Sequence, residues 1–219
     1  MQNKKYILFD FDGTIYDSGP GVMKAAKYAL ESFGVRVEDL SELRRFCGPP
    51  LWDSFMVFYG FSREQADRAV EKYREYYADK GLTDGEIYRG IPELLRKLKE
   101  NGKKLILATS KSERYFPFLL EALSIQDCFD FVAASTHDGS RSSKEEVLAY
   151  AIDRCEISDP SLAVMVGDRK FDIIGARAFG MESVGVLYGY GDLSELQAAG
   201  ADYIAADVKE LEDILSGNM

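Results

Sequence analysis

Histidine is nearly absent from this chain, and cysteine and tryptophan are scarce. The single histidine, His137, leaves a histidine-based catalytic triad or a histidine-rich zinc site with little to work with, and it reads as a loop residue. Three cysteines, Cys47, Cys128 and Cys155, lie far apart without paired metal-ligand spacing, so they read as reduced core thiols. No apolar run is long enough to span a bilayer, and the short one near the start is broken by Asp10 and Asp12, too soon for a signal-peptide core. Positive charge is also in deficit: the net charge of −10 argues against a nucleic-acid or anionic-membrane surface. An anionic small substrate remains compatible, provided that cations are gathered at its site. A cytoplasmic location is expected.

What is present is an alternating pattern. Tyr6–Phe9, Lys104–Ala108, Ala163–Val166 and Val184–Leu187 are short apolar runs bounded by turn residues, and Phe131–Ala134 is a weaker one. Runs apolar on both faces predict a parallel sheet covered by helices. Ile91-Pro92-Glu93 to Asn101-Gly102 carries proline near the start of a helix and glycine just past its end. Ser143 and Glu146 form a capping-box pattern ahead of Val147, Leu148, Ala151, Ile152 and Cys155. Arg169 to Phe179 predicts another helix, with Phe171, Ile174 and Ala178 as its apolar positions. The fold class expected is α/β, a doubly wound, Rossmann-like parallel-sheet core.

Residues 18–83 break the alternation. Val22, Ala25, Ala26, Ala29, Leu30 and Phe33 repeat at helical spacing, and Ser62 with Gln65 opens a second pattern carrying Ala66, Ala69, Val70, Tyr73 and Tyr77. The organisation expected is a core of residues 1–17 and 84–219, with a helical cap domain, 18–83, inserted after the first strand.

Ligands of open α/β sheets bind beyond the carboxyl ends of the strands. There the chain places Asp10-Phe11-Asp12-Gly13-Thr14, then Thr109-Ser110-Lys111, a polar loop leading to Lys144, and Gly167-Asp168 with Asp172 four residues on. Carboxylates two positions apart repel, and a hard divalent ion would relieve that. Asp10 and Asp168 can supply carboxylates to magnesium, with a main-chain carbonyl near Asp12 as a further oxygen. Asp10 is then placed to attack phosphorus and Asp12 to move protons. Thr109 and Lys144 would hold phosphoryl oxygens, and Gly13 would let main-chain amides approach them. The plainer readings are that Thr109 and Ser110 cap a following helix and that Asp172 supports a helix dipole. Lys144 resists a plain reading, because positive charge is disfavoured at a helix amino terminus unless an anion lies there.

With DFDGT at 10–14, Thr-Ser-Lys at 109–111, Lys144 and GDRKFD at 167–172, the chain resembles the haloacid dehalogenase superfamily phosphatases, and the helical insertion resembles that family's first cap type. The resemblance implies Asp10 as nucleophile, Asp12 as acid/base, Thr109 and Lys144 as phosphate binders, Asp168 as a magnesium ligand and Asp172 in support of the metal site. Gly13 and Ser110 are further substrate-binding candidates, and the Mg2+ site is expected from Asp10, Asp12, Asp168 and Asp172. Asp12 argues against dehalogenation, because the haloalkanoate dehalogenases lack the second acid. DGSRSSKEEVLAYAI, MVGDRKFDIIGA and GVLYGYG are similar to the branch of phosphoglycolate phosphatases and nucleoside 5′-monophosphate phosphatases. A sugar-phosphate mutase shares the motifs, and a non-catalytic phospho-ligand-binding module is the alternative outside catalysis. Arg44-Arg45-Phe46-Cys47-Gly48-Pro49-Pro50-Leu51-Trp52 has two readings. It is a loop with Arg45 or Arg44 meeting a second anionic group, or a rigid turn with Trp52 packed. Tyr16 and Lys111 are further candidates for touching the leaving group. Lys24, Lys27 and Lys72 read as solvated helix faces. The expected partner is a small phosphorylated metabolite, without nucleic acid or membrane, and the chain is expected as monomer or homodimer.

Overall fold

The computed structural model describes residues 1–217. Strand β1 (Tyr6–Phe9) is followed by a two-residue strand, β2 (Tyr16–Asp17), then helices α1 (Gly19–Ser32), α2 (Leu51–Tyr59) and α3 (Arg63–Asp79). A second two-residue strand, β3 (Glu86–Ile87), pairs with β2. The chain continues through α4 (Ile91–Glu100), β4 (Lys104–Ser112), α5 (Phe116–Ala122), β5 (Phe131–Ser135), α6 (Lys144–Arg154) and β6 (Ala163–Gly167). It ends with α7 (Lys170–Ala178), β7 (Glu182–Val186), α8 (Leu193–Ala199), β8 (Tyr203–Ala205) and α9 (Val208–Ser216). Two compact units result, one of residues 1–16 with 87–219 and one of residues 17–86. Among the described residues, no helix is long and apolar enough to cross a membrane.

The larger unit holds a six-stranded sheet in the order β5-β4-β1-β6-β7-β8, every pair parallel. It is the doubly wound arrangement that the alternating runs predict. Leu8, Ile106, Ala108, Ala133, Ala163 and Met165 bury one face against Val147, Leu148 and Ala151 of α6 and Ala176 of α7. Their neighbours Ile7, Phe9, Leu105, Leu107, Val164 and Val166 are equally buried and point to the other face. Strands buried on both sides cannot alternate with polar residues, which is why they read as continuous apolar runs. The chain builds outward from β1 to β5, then crosses back to place β6 on the other side of β1. The strand order therefore reverses between β1 and β6, the position at which doubly wound sheets bind ligands.

Three expectations are corrected. The strand read as Val184–Leu187 begins two residues earlier and ends at Val186. The second run continues to Ser112, so Thr109 and Ser110 lie within β4 and do not cap a helix; α5 starts only at Phe116. Helix α7 forms where expected, but it buries Asp172, Ile173, Gly175 and Ala176 and leaves Phe171, Ile174 and Ala178 exposed. Apolar spacing misassigned the face because a carboxylate, not an apolar side chain, is turned inward.

The smaller unit is helical. Helix α1 buries Val22, Ala25, Ala26, Ala29 and Leu30, and α3 buries Ala66, Ala69, Val70, Tyr73 and Tyr77. Ser62 Oγ accepts from the Gln65 amide at 3.2 Å, and Gln65 Oε1 accepts from the Ser62 amide at 2.9 Å. This reciprocal pair satisfies two amides that the start of α3 would otherwise leave without acceptors.

Candidate active site

Asp10 follows β1 directly, and its amide donates to Val166 O of β6, so its backbone is fixed at the point where the strand order reverses. Asp168 follows β6, and Asp172 lies in the first turn of α7. Carboxylate oxygens of Asp10, Asp168 and Asp172 lie within 4.8 Å of one another. Asp168 and Asp172 are buried and Asp10 nearly so.

Lys144, the first residue of α6, enters this cluster. Its Nζ is 2.9 Å from Asp10 Oδ1 and 2.7 Å from Asp172 Oδ1, and it donates to Ala108 O at 2.8 Å. Burial disfavours the ammonium, but Asp10 and Asp172 outweigh that cost and hold its pKa above the ordinary lysine value. The anions expected beside a lysine at a helix start are thus these two carboxylates.

Burial pushes the Asp168 carboxyl well above the ordinary range, and the charges of Asp172 and Asp10 push it further. The Asp172 carboxyl is raised by burial as well, against the opposing pull of Lys144. When all three are ionised, the carboxylates exceed the one ammonium by two negative charges, an excess that burial resists and a cation would relieve. Neither Asp10 Oδ1 nor Asp172 Oδ1 receives a hydrogen bond of good geometry. A compact set of oxygen ligands with that excess charge fits a hard divalent cation.

Asp12 stands apart. Its carboxylate is gripped by Lys111, whose Nζ donates to Oδ1 at 2.9 Å and to Oδ2 at 3.1 Å. Lys111 is almost fully buried, and its ammonium lies 5.8 Å from the Phe11 ring centre. So each carboxylate of the opening pair has its own lysine, and neither charge is left to repel the other uncompensated. The side chain of Asp12 is not among the clustered carboxylates. Lys111 reaches Asp12 because the pairing of β4 with β5 is irregular between Thr109 and Ser112, where Ser110 and Lys111 have no registered partners. Irregularities of this kind re-aim side chains.

Thr109 is buried and its Oγ1 accepts from the Lys111 amide at 3.2 Å, whereas Ser110 is exposed. Gly13 has φ +82°, and a Cβ there would lie 2.2 Å from Asp168 Oδ2. The Gly13 amide donates to Tyr16 O at 2.9 Å, so the glycine is needed for its turn and for the approach of Asp168. Tyr16 is buried and stacked on Phe11, a core position and not a solvent-facing contact. In the helical unit, Arg45 is exposed, with its guanidinium over the rings of Phe58 at 4.7 Å and Tyr59 at 5.0 Å. Trp52 donates from Nε1 to Asp67 Oδ1 at 2.8 Å.

One group of neighbours escaped sequence reasoning. Thr14 Oγ1 contacts Asp168 Oδ1 at 3.4 Å, and the Tyr190 amide donates to Asp168 Oδ2 at 2.7 Å. Tyr188 OH donates to Thr14 O at 3.1 Å. The signal available was the glycine-rich Tyr188-Gly189-Tyr190-Gly191, directly beyond the end of β7.

Carboxylates and lysines at the carboxyl edge of a doubly wound sheet, around an acidic cluster suited to a divalent ion, define a class of enzyme acting on phosphate groups. Comparison with known proteins gives the family. Residues 7–186 match the haloacid dehalogenase-like hydrolases, and the chain belongs to that family. It is 35% identical to a 5′-nucleotidase of Pseudomonas aeruginosa over 97% of this chain and 96% of that one. It is 33% identical to the tyrosine-protein kinase PtkA of Mycobacterium tuberculosis, over 98% of this chain and 73% of that one. A phosphoglycolate phosphatase of Vibrio parahaemolyticus is 26% identical over 99% and 98%. The crystal structure of a predicted phosphatase from Clostridium acetobutylicum superposes with a TM-score of 0.93 at 43% identity, covering 97% of this chain and 98% of that one. The chain is a phosphatase of this family by these likenesses.

Proposed function

We propose that the protein hydrolyses small phosphate monoesters with Mg2+ through an aspartyl-phosphate on Asp10. The observation that carries this reading is the pair of carboxylates after β1, each held by a separate buried lysine. In the first step an Asp10 oxygen attacks phosphorus, the bond to the leaving oxygen breaks, and Asp12 gives that oxygen a proton. In the second, Asp12 takes a proton from water, water attacks phosphorus, and Asp10 leaves as carboxylate with inorganic phosphate. Lys144 and Thr109 stabilise the charge developing on the phosphoryl oxygens. Asp10, Asp168 and a main-chain oxygen near Asp12 would hold Mg2+, with Asp172 completing the acidic set. When bound, the ion supplies charge neutralisation for the incoming phosphate.

For substrate, nucleoside 5′-monophosphates come first and phosphoglycolate-like esters second, following the names of the relatives. Residues 18–83 act as a specificity domain in this reading, with Arg45 as its candidate for a second anionic group. The test is phosphate release from nucleoside monophosphates, phosphoglycolate and sugar phosphates, with Asp10→Asn alongside. One class strongly preferred, and silence in the folded variant, supports the proposal; retained turnover in Asp10→Asn defeats it. The kinase-named relative favours a second reading, transfer of the phosphoryl group to a hydroxyl other than water. A sugar-phosphate mutase would be another case of such transfer. It predicts a phosphorylated acceptor with little free phosphate.

A further inference from the structure

The loop that follows β7, Tyr188-Gly189-Tyr190-Gly191, holds Asp168 from several directions at once. The Tyr190 amide donates to Asp168 Oδ2 at 2.7 Å. A Cβ on Gly189 would fall 2.3 Å from Gly13 O, 2.4 Å from Asp168 Cβ and 2.5 Å from Asp168 Oδ2. A Cβ on Gly191 would fall 2.0 Å from Asp168 O. Side chains cannot occupy those positions, so the loop backbone lies directly against the buried aspartate. Tyr188 ties the loop to the other side of the same carboxylate: its hydroxyl donates to Thr14 O, and Thr14 Oγ1 contacts Asp168 Oδ1. Asp168 is thus wedged between the turn after β1 and the turn after β7, with one oxygen fixed from each.

We infer that the Tyr188–Gly191 loop is the positioning element of the metal site and sets its affinity and selectivity for Mg2+. The inference rests on the magnesium reading above and adds residues to it. The physical reason is geometric. Mg2+ demands a near-ideal octahedron at short distances, whereas Ca2+ tolerates irregular coordination. A ligand held in one position by contacts on both of its oxygens favours the stricter ion. A ligand pushed aside penalises it first.

The experiment is calorimetric titration of the full chain with Mg2+ and, separately, Ca2+, for wild type, Gly189→Ala and Tyr188→Phe. Groups that orient metal ligands typically change affinity by about 10- to 100-fold when altered. Gly189→Ala should weaken Mg2+ binding by that factor, while Ca2+ binding changes by about threefold or less. Tyr188→Phe, which loses one hydroxyl and keeps the ring, should shift the same ratio severalfold in the same direction. If Gly189→Ala fails to fold by circular dichroism, Tyr188→Phe decides the matter alone. Unchanged Mg2+ affinity in the folded variants would overturn the inference, as would equal losses for both ions, which mark general loosening. Wild-type protein that binds no Mg2+ at millimolar concentration would overturn both this inference and the metal reading beneath it.

Discussion

Replacing Lys144 by methionine keeps the length of the side chain and removes its charge from between two buried carboxylates. At an effective dielectric of about 20, the contacts at 2.9 Å and 2.7 Å are each worth about 6 kcal/mol of attraction. Desolvating the ammonium offsets several kcal/mol of that, so the net value of the lysine is far below the sum. What remains without it is the repulsion of Asp10 and Asp172, about 3.5 kcal/mol at the 4.8 Å limit of their separation. Breaking a buried pair from one side characteristically costs about 3–5 kcal/mol, and Lys144→Met should fall in that range at pH 8 without metal. For a chain of this length that lowers Tm by about 6 to 20 °C. The sign with pH follows from the carboxylates. The Asp172 carboxyl, already raised by burial against the pull of Lys144, rises further once the ammonium is gone. The stability it contributes is therefore present in acid and lost as pH rises through its folded value. The gap between wild type and variant should be widest at pH 8 and narrow towards pH 5. Urea denaturation followed by circular dichroism measures it at both pH values. A loss below about 1 kcal/mol at pH 8, or one that does not shrink in acid, refutes the reasoning.

Removing metal should cost stability in a pH-dependent way: burial raises the carboxyls of Asp168 and Asp172, so the metal-free protein loses stability as pH rises from the ordinary carboxylate range through the raised values. Mg2+ binds the ionised forms, so at saturation it should raise Tm more at pH 8 than at pH 5.5, and equal shifts would contradict the burial argument. Lys111→Met removes the ammonium that grips both oxygens of Asp12, and turnover of alkyl phosphates should fall by about 100-fold, the lower end of what general acid–base assistance contributes. Aryl phosphates, whose leaving groups need no proton, should lose much less, and a uniform loss would assign Lys111 to phosphate binding instead. Gly13→Ala forces a side chain into the left-handed region and onto Asp168, so it should lower both Tm and Mg2+ affinity. A variant with wild-type values of both would show that the contact is not needed.

The legible parts of this molecule were the local ones. The reciprocal caps at Ser62–Gln65 and Ser143–Glu146 span three residues, so the bonds they make are written in adjacent letters. The strands at Tyr6–Phe9 and Ala163–Gly167 showed as apolar runs because both their faces are covered. Asp10, Asp12 and Asp168 were nameable because they stand just beyond readable strands, and Lys144 and Asp172 because they lie in the first turns of readable helices. Strand β8 and helices α8 and α9 went unread: β8 has three residues, too few for a period to register, and α8 only seven.

Which of those charges would meet was decided by the tertiary structure alone. Lys111 and Asp12 are 99 positions apart, and an irregularity in β4 turns one toward the other. Tyr188 and Thr14 are 174 apart, and they meet because the crossover after β5 brings β6 to the other side of β1. The same packing decided that α7 turns Asp172 inward and leaves Phe171 in solvent. Local hydrogen bonds and side-chain periods depend on neighbours along the chain. Ion pairs between distant elements depend on the order in which the strands are laid side by side.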